Sequence, residues 1–277
     1  MGLSSNILWH QTKKDGLRGI IKNKCLYYSY SVEDIIGYDK YKFAYPMVSV
    51  CDLPLAETGN YLKKYGDYTI GFCAEWGKRN NFSAVWYCDQ NSLALKTIID
   101  MLARKFNTFR FETEKDEDYQ RIIYLLSYIK LYEGPLPKRN YKKYRFYDER
   151  EVRRVPDAQT LFKIEEKQMI WNYEEYKDHH NNSALLPKSV NIPFEWEDIK
   201  YIIVERDSEK EEFRKYIEKY SKKNDLKISF FTNNEVKEDI IGISHDEESS
   251  PTFEVDIQKL NEIIKEEIIK IMQEKLK

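Results

Sequence analysis

The chain reads as an α+β protein on a mixed, largely antiparallel sheet, and three observations carry that reading. Short β-rich runs bounded by Pro and Gly open it, a helical insert divides them, and a strand–helix–strand unit closes the main part.

Taken in order, Ile7-Leu8-Trp9-His10 reads as a short strand. Thr12 is placed to cap a following helix whose apolar face is Leu17, Ile20 and Ile21. Tyr27 to Tyr30 leave it as an extended piece. Met47–Cys51 and Tyr68–Cys73 are the clearest central strands, bounded by Pro46, Pro54 and Gly66, and Ala84–Cys88 reads as another. The pattern then becomes helical. Ser92–Phe106 carries Leu93, Leu95, Ile98, Ile99 and Leu102, Asp118–Tyr132 is strongly apolar, and Gly134-Pro135 closes the insert. Strands are expected again at Tyr144–Val155, Leu161–Glu165 and Ile199–Val204. Ser208–Tyr220 reads as a polar-faced helix and Ile228–Phe231 as a last strand.

This gives one domain over residues 1–238 with a helical insert at about 92–134, a polar linker at 239–252 and a terminal amphipathic helix at 253–277. In that helix Ile257, Leu260, Ile264, Ile268 and Ile271 form a stripe that packs on its own domain or on a partner.

A net charge of -2 provides no global field towards nucleic acid or anionic lipid, so either partner would need a local patch. Cys25, Cys51, Cys73 and Cys88 lack CxxC spacing and read as buried free thiols of a reducing compartment. No apolar run of membrane-spanning length and no basic-plus-apolar leader is visible, so a cytoplasmic protein without membrane contact is expected. G-x-S-x-G and P-loop patterns are missing, and His179-His180 lacks suitably spaced partners for a metal.

Two places could carry chemistry. On a continuous strand Glu149 and Glu151 share one face, with Arg150 on the other. Paired carboxylates suit a reaction in which one stabilises a developing cation and the other steers a nucleophile. The plain alternative is a wet strand salt-bridged to Arg153 and Arg154. The second place is His10, at the end of an apolar strand with Thr12 two residues on, beside a helix start whose backbone N–H groups could hold a ribose or amide. Its alternative is a satisfied core histidine. Lys138, Arg139, Lys142, Lys143 and Arg145 interleave with Tyr141 and Tyr144 as in a backbone-gripping surface, or form a solvated loop.

His10-x-Thr12-x-x-Asp15-x-Leu17-x-x-Ile20-Ile21 and the following tyrosines resemble the opening motif of DarT-like ADP-ribosyltransferases. Glu149-x-Glu151, Phe194–Ile199 and Tyr201–Val204 resemble the end of the same fold. More closely, Pro46–Leu55, Tyr65–Phe72 and the Glu149-Arg150-Glu151 strand with Pro156 are similar to the AbiGi-type abortive phage-resistance family, a likeness spanning roughly residues 7 to 205.

The transferase resemblance implies an ADP-ribosyltransferase-like α+β fold with NAD as substrate and a protein or nucleic-acid acceptor, landing on the basic stretch. His10 and Thr12 would hold the nicotinamide ribose, and Tyr28, or Tyr27 in another register, would stack on the nicotinamide. Glu151 would stabilise the oxocarbenium ion and Glu149 would orient the acceptor. Gly16 stands where DarT-like proteins carry Asn. AbiGi-type proteins are regarded as antitoxins of a two-component defence system. That resemblance implies a cognate toxin or antitoxin partner and, as the alternative function, a fold kept without its chemistry.

Overall fold

The strand β4 (Lys42–Cys51), buried continuously from Phe43 to Val48, organises the molecule, because it carries neighbours on both edges along its length. The computed structural model describes residues 6–34, 42–55, 57, 58, 66–108, 117–136, 141–156, 171, 172, 176, 177 and 190–237. Before β4 come β1 (Ile7–Thr12), α1 (Lys14–Asn23), β2 (Cys25–Tyr27) and β3 (Ser29–Asp34). After it come β5 (Tyr68–Cys73), α2 (Ala74–Arg79), β6 (Ser83–Ala84), β7 (Trp86–Cys88), α3 (Leu93–Thr108), α4 (Glu117–Leu126), β8 (Ile129–Leu131), β9 (Glu133–Leu136) and β10 (Tyr141–Arg145). A 3-10 turn at Phe146–Glu149 leads to β11 (Glu151–Arg154), followed by β12 (Trp171–Asn172), β13 (Asn191–Pro193), β14 (Ile199–Val204), α5 (Asp207–Ser221) and β15 (Ser229–Thr232).

Among the described residues the main sheet has nine strands in the order β15-β14-β5-β1-β4-β11-β6, with β3 and β12 also pairing with β4. The β14–β15 pair is parallel and the other pairs of this sheet are antiparallel, so it is mixed, as expected of an α+β chain. Contacts divide the chain into Met1–Ile240 and Ile241–Lys277. The linker and terminal helix expected at 239–252 and 253–277 lie outside the described residues, as do the strand at 161–165 and His179-His180.

Strand alternation explains the layers. Leu8, Val48, Val50, Ile70, Phe72, Ile202 and Val204 form one core with Leu17, Ile20 and Ile21 of α1 and Phe213 and Ile217 of α5. On the alternate positions of β4, Phe43, Tyr45 and Met47 pack with Leu95 of α3, Ile122 and Leu126 of α4, and Ile129 and Leu131 of β8. That row turns polar at Ser49. Trp9, paired with both Cys51 and Gly71, belongs to the same alternation and donates its indole N–H to Leu53 O at 2.7 Å. Gly71 is needed there, since a Cβ would stand 2.8 Å from the Trp9 ring.

Four local expectations are corrected. Pro46 lies inside β4 opposite Tyr30; its φ suits extended chain and only one ladder donor is lost. Thr12 is the last residue of β1, and the helix cap is Lys13 without a side-chain cap bond. The helix expected to reach Tyr132 ends at Leu126, where the Ser127 hydroxyl donates to Tyr124 O at 2.6 Å and Ile129–Leu131 turns into a strand parallel to β7. Finally, Tyr144–Val155 is no continuous strand, because the 3-10 turn and a left-handed Arg150 (φ 41, ψ 50) break it.

Candidate functional site

The break at Arg150 sets the geometry of the carboxylate pair. Alternation on a straight strand cannot place Glu149, the last residue of the 3-10 turn. The left-handed residue instead swings the chain so that Glu149 and Glu151 meet one ammonium: Lys130 Nζ donates to Glu149 Oε2 and Glu151 Oε2, each at 2.8 Å. Lys130 is delivered by β8, whose Ile129 and Leu131 are buried on either side of it.

Arg153, two residues along β11 from Glu151, lies on the same face and is fully buried. Its Nε and Nη2 donate to the two Glu151 oxygens at 2.5 and 2.9 Å, Nη2 also reaches Glu33 Oε1 at 2.7 Å, and Nη1 donates to Ser127 O at 3.0 Å. Ser49, on β4 opposite Arg153, donates its hydroxyl to Glu151 Oε1 at 2.6 Å. The Glu151 backbone N–H donates to the Tyr87 hydroxyl at 2.9 Å. Both oxygens of Glu151 are therefore occupied by donors from the protein itself.

Glu33, Glu149 and Glu151 face Lys130 and Arg153, so the seam carries one excess negative charge. Burial by itself would raise the Glu151 carboxyl, but Arg153 and Lys130 outweigh it and hold the group well below the usual carboxylate range. Burial likewise opposes the charge on Lys130, which Glu151, Glu33 and Glu149 overcome, keeping it protonated. The neighbouring Cys51 thiol is pushed up by burial first and by Glu151 and Glu149 second, which leaves it an unreactive thiol. The wet, salt-bridged strand is thus ruled out: Glu149 and Glu151 are 3% and 6% exposed. Arg153 does pair with Glu151, whereas Arg154 donates to Val155 O.

His10 reaches the backbone of β4 from β1, one residue past Trp9, which shares the sheet face of Glu151. Its Nδ1 lies 3.0 Å from Ser49 O, and because a carbonyl only accepts, Nδ1 carries the proton in the neutral ring. Burial lowers its pKa, opposed by the bond to Ser49. His10, Ser49 and Glu151 thus form a chain of contacts across three adjacent strands, β1, β4 and β11.

The other predicted residues sit elsewhere. Thr12 ends β1 opposite Tyr68, against Gly16 and Gly66. A Cβ at position 16 would stand 2.1 Å from Thr12 Oγ1, so the glycine found where DarT-like proteins carry Asn is what lets α1 start this close to β1. Tyr27 is 37% exposed and pairs with Asn191, and Tyr28 packs against the core that includes α1. Lys138 and Arg139 lie outside the described residues, as does the Lys142 side chain. Lys143 and Arg145 bind Glu133 and Asp148 at 2.8 and 2.6 Å.

Sequence reasoning missed Ser49, Glu33, Tyr87 and Lys130. For Lys130 the local pattern pointed the other way: Ile129-Lys130-Leu131 alternates like a strand with its apolar residues inward, which reads the lysine as a solvent-side residue. Among the described residues, no group of three or more His, Cys, Asp or Glu could hold a metal, and no helix is long and apolar enough to cross a membrane.

No curated protein and no solved structure matches the chain, and the likeness to ADP-ribosyltransferases stays an expectation. A family model described as "Putative abortive phage resistance protein AbiGi, antitoxin" matches residues 19–205. That span holds the whole Glu33–Arg153–Glu151–Lys130–Glu149 seam and more than half of the chain, which belongs to the AbiGi family of abortive phage-resistance proteins.

Proposed function

We propose that this protein is the antitoxin half of a two-component phage-defence system and that it restrains its toxin by contact rather than by catalysis. The observation that carries this reading is the occupancy of Glu151. A carboxylate that is to bond a ribose hydroxyl and face an oxocarbenium ion needs an accessible oxygen. Here Ser49, Arg153 and Lys130 take both oxygens. For NAD to be held at Glu151, this buried network would first have to open, and the residues therefore fit that substrate poorly as they stand. The family description, which names an antitoxin, supports the same reading.

Co-expression with the toxin of its own locus tests it. Growth arrest by the toxin should be relieved, and the Glu151→Gln variant, if folded, should still relieve it. Failure of the wild-type protein to neutralise, or loss of neutralisation in folded Glu151→Gln, would sink the contact mechanism.

A second reading, transfer of ADP-ribose from NAD to a protein or nucleic-acid acceptor, draws on one observation, the continuity of His10, Ser49 and Glu151. Labelled NAD mixed with lysate separates the two. Label transfer that disappears in Glu151→Gln would replace the antitoxin reading with the enzymatic one.

A further inference from the structure

The net charge of -2 made any polyanion partner conditional on a local patch, and such a patch exists at the C-terminal half of α5 and the turn after it. Between residues 214 and 227, Arg214, Lys215, Lys219, Lys222, Lys223 and Lys227 stand against only Glu218 and Asp225, and all these cations are exposed. Arg214 and Lys215 share Glu211 through loose helix-surface pairs at 3.5 and 3.7 Å, and Lys223 pairs with Glu197. Among the described residues Lys219, Lys222 and Lys227 make no ion pair. Two of the cations are held over ring faces, Arg214 4.8 Å from the Phe230 centroid and Lys219 5.5 Å from that of Tyr220. Arg214, Lys223, Leu226 and Phe230 line one shallow depression, so helix and turn present a single surface.

We propose that this face docks the phosphate backbone of duplex nucleic acid. Two classes of partner present negative charge, and the surface chemistry separates them. A protein interface needs an apolar centre and is depleted in lysine. Among the described residues the exposed large hydrophobics are Tyr27, Val32, Trp86, Leu93, Met101, Leu125 and Tyr147, none of them in this segment. Phosphate contact needs only cations spaced along an edge, with arginine and aromatic groups as adjuncts. This face does not depend on the Glu151 seam or on the antitoxin reading.

The test is fluorescence anisotropy of the full chain with a random-sequence 24-base-pair DNA duplex, titrated with NaCl from about 50 to 250 mM. The wild type binds at low salt with a steep negative log–log slope. The variant Lys219→Ala/Lys222→Ala/Lys227→Ala weakens binding about tenfold or more, and flattens the slope by about 2 to 3, since each lost phosphate contact removes about 0.9. The control Lys13→Ala/Lys78→Ala/Lys96→Ala, with the same change in net charge, keeps the wild-type slope. No binding at 50 mM salt, or equal slopes for the two triple variants, overturns the proposal. So does loss of toxin binding in the first variant without any DNA binding by the wild type, which would make the face a protein contact.

Discussion

Glu151 and Glu209 are buried to nearly the same degree, 6% and 4% exposed, yet they are held in opposite ways. Glu151 sits in mid-sheet between the fully buried Arg153 and the nearly buried Lys130. Glu209 sits at the start of α5, where it accepts from the Tyr68 hydroxyl at 2.9 and 3.0 Å, from Lys14 at 2.7 Å and from the Arg206 backbone N–H at 3.1 Å. Its cation, Lys14, is one-third exposed. Burial raises both carboxyls, and in both the partners win. Near Glu151 they win through two buried cations, so the group falls far; near Glu209, mostly neutral donors and one wet lysine lower it less. Burial alone therefore does not tell a structural carboxylate from a poised one. The charge and accessibility of the partners do.

The comparison is broken most directly by removing Arg153. Arg153→Met leaves Glu33, Glu149 and Glu151 with only Lys130 to share, and should cost about 3–5 kcal/mol in urea unfolding. A loss below about 1 kcal/mol would mean that the seam is wetter than its packing indicates. Glu209→Gln keeps most of the hydrogen-bonding shape and should cost only about 1 kcal/mol. If it costs as much as Arg153→Met, the contrast between the two carboxylates is wrong.

Acid titration sharpens the same contrast. Both carboxyls lie below the ordinary value of 4.5 in the folded protein, so each contributes stability that is present above 4.5 and is lost as pH falls through its folded value. Both gaps should therefore start to close near 4.5, and the gap between wild type and Glu209→Gln should finish closing at higher pH than the gap for Glu151→Gln. Parallel urea midpoints from pH 5 to pH 2 read this out, and closure in the reverse order would contradict the assignment. The smallest effect concerns His10. Its folded pKa lies below 6.5, so its contribution is complete above 6.5 and is lost as pH falls through the folded value. Wild type should lose stability as pH falls below 6.5 relative to His10→Gln, whose amide can still donate to Ser49 O. Identical profiles would show that the imidazole is not buried against β4.

Much of the frame was legible in the chain. The runs that became β1, β4 and β5 stood out because short apolar stretches with Pro or Gly nearby are local signals, although Pro46 proved to lie inside β4, and α1 showed its apolar face at helical spacing while α5 read as a polar-faced helix. Glu149 and Glu151 were found as a pair, but through an alternation that Arg150 interrupts. Glu209 was read as part of a wet helix face, since nothing local announces that Tyr68, far away in the chain, will cover it.

By itself, the sequence determined the α+β class, the central strands, the helical insert and the likeness to the AbiGi family, all of which rest on neighbours within a few residues or on short motifs. Only the tertiary structure decided that the Glu pair is locked rather than open. That depends on Lys130, Arg153, Ser49 and Glu33 arriving from four separate strands, β8, β11, β4 and β3. Long-range pairing places charges that local pattern cannot see, and the free energy of a buried carboxylate is set by those charges.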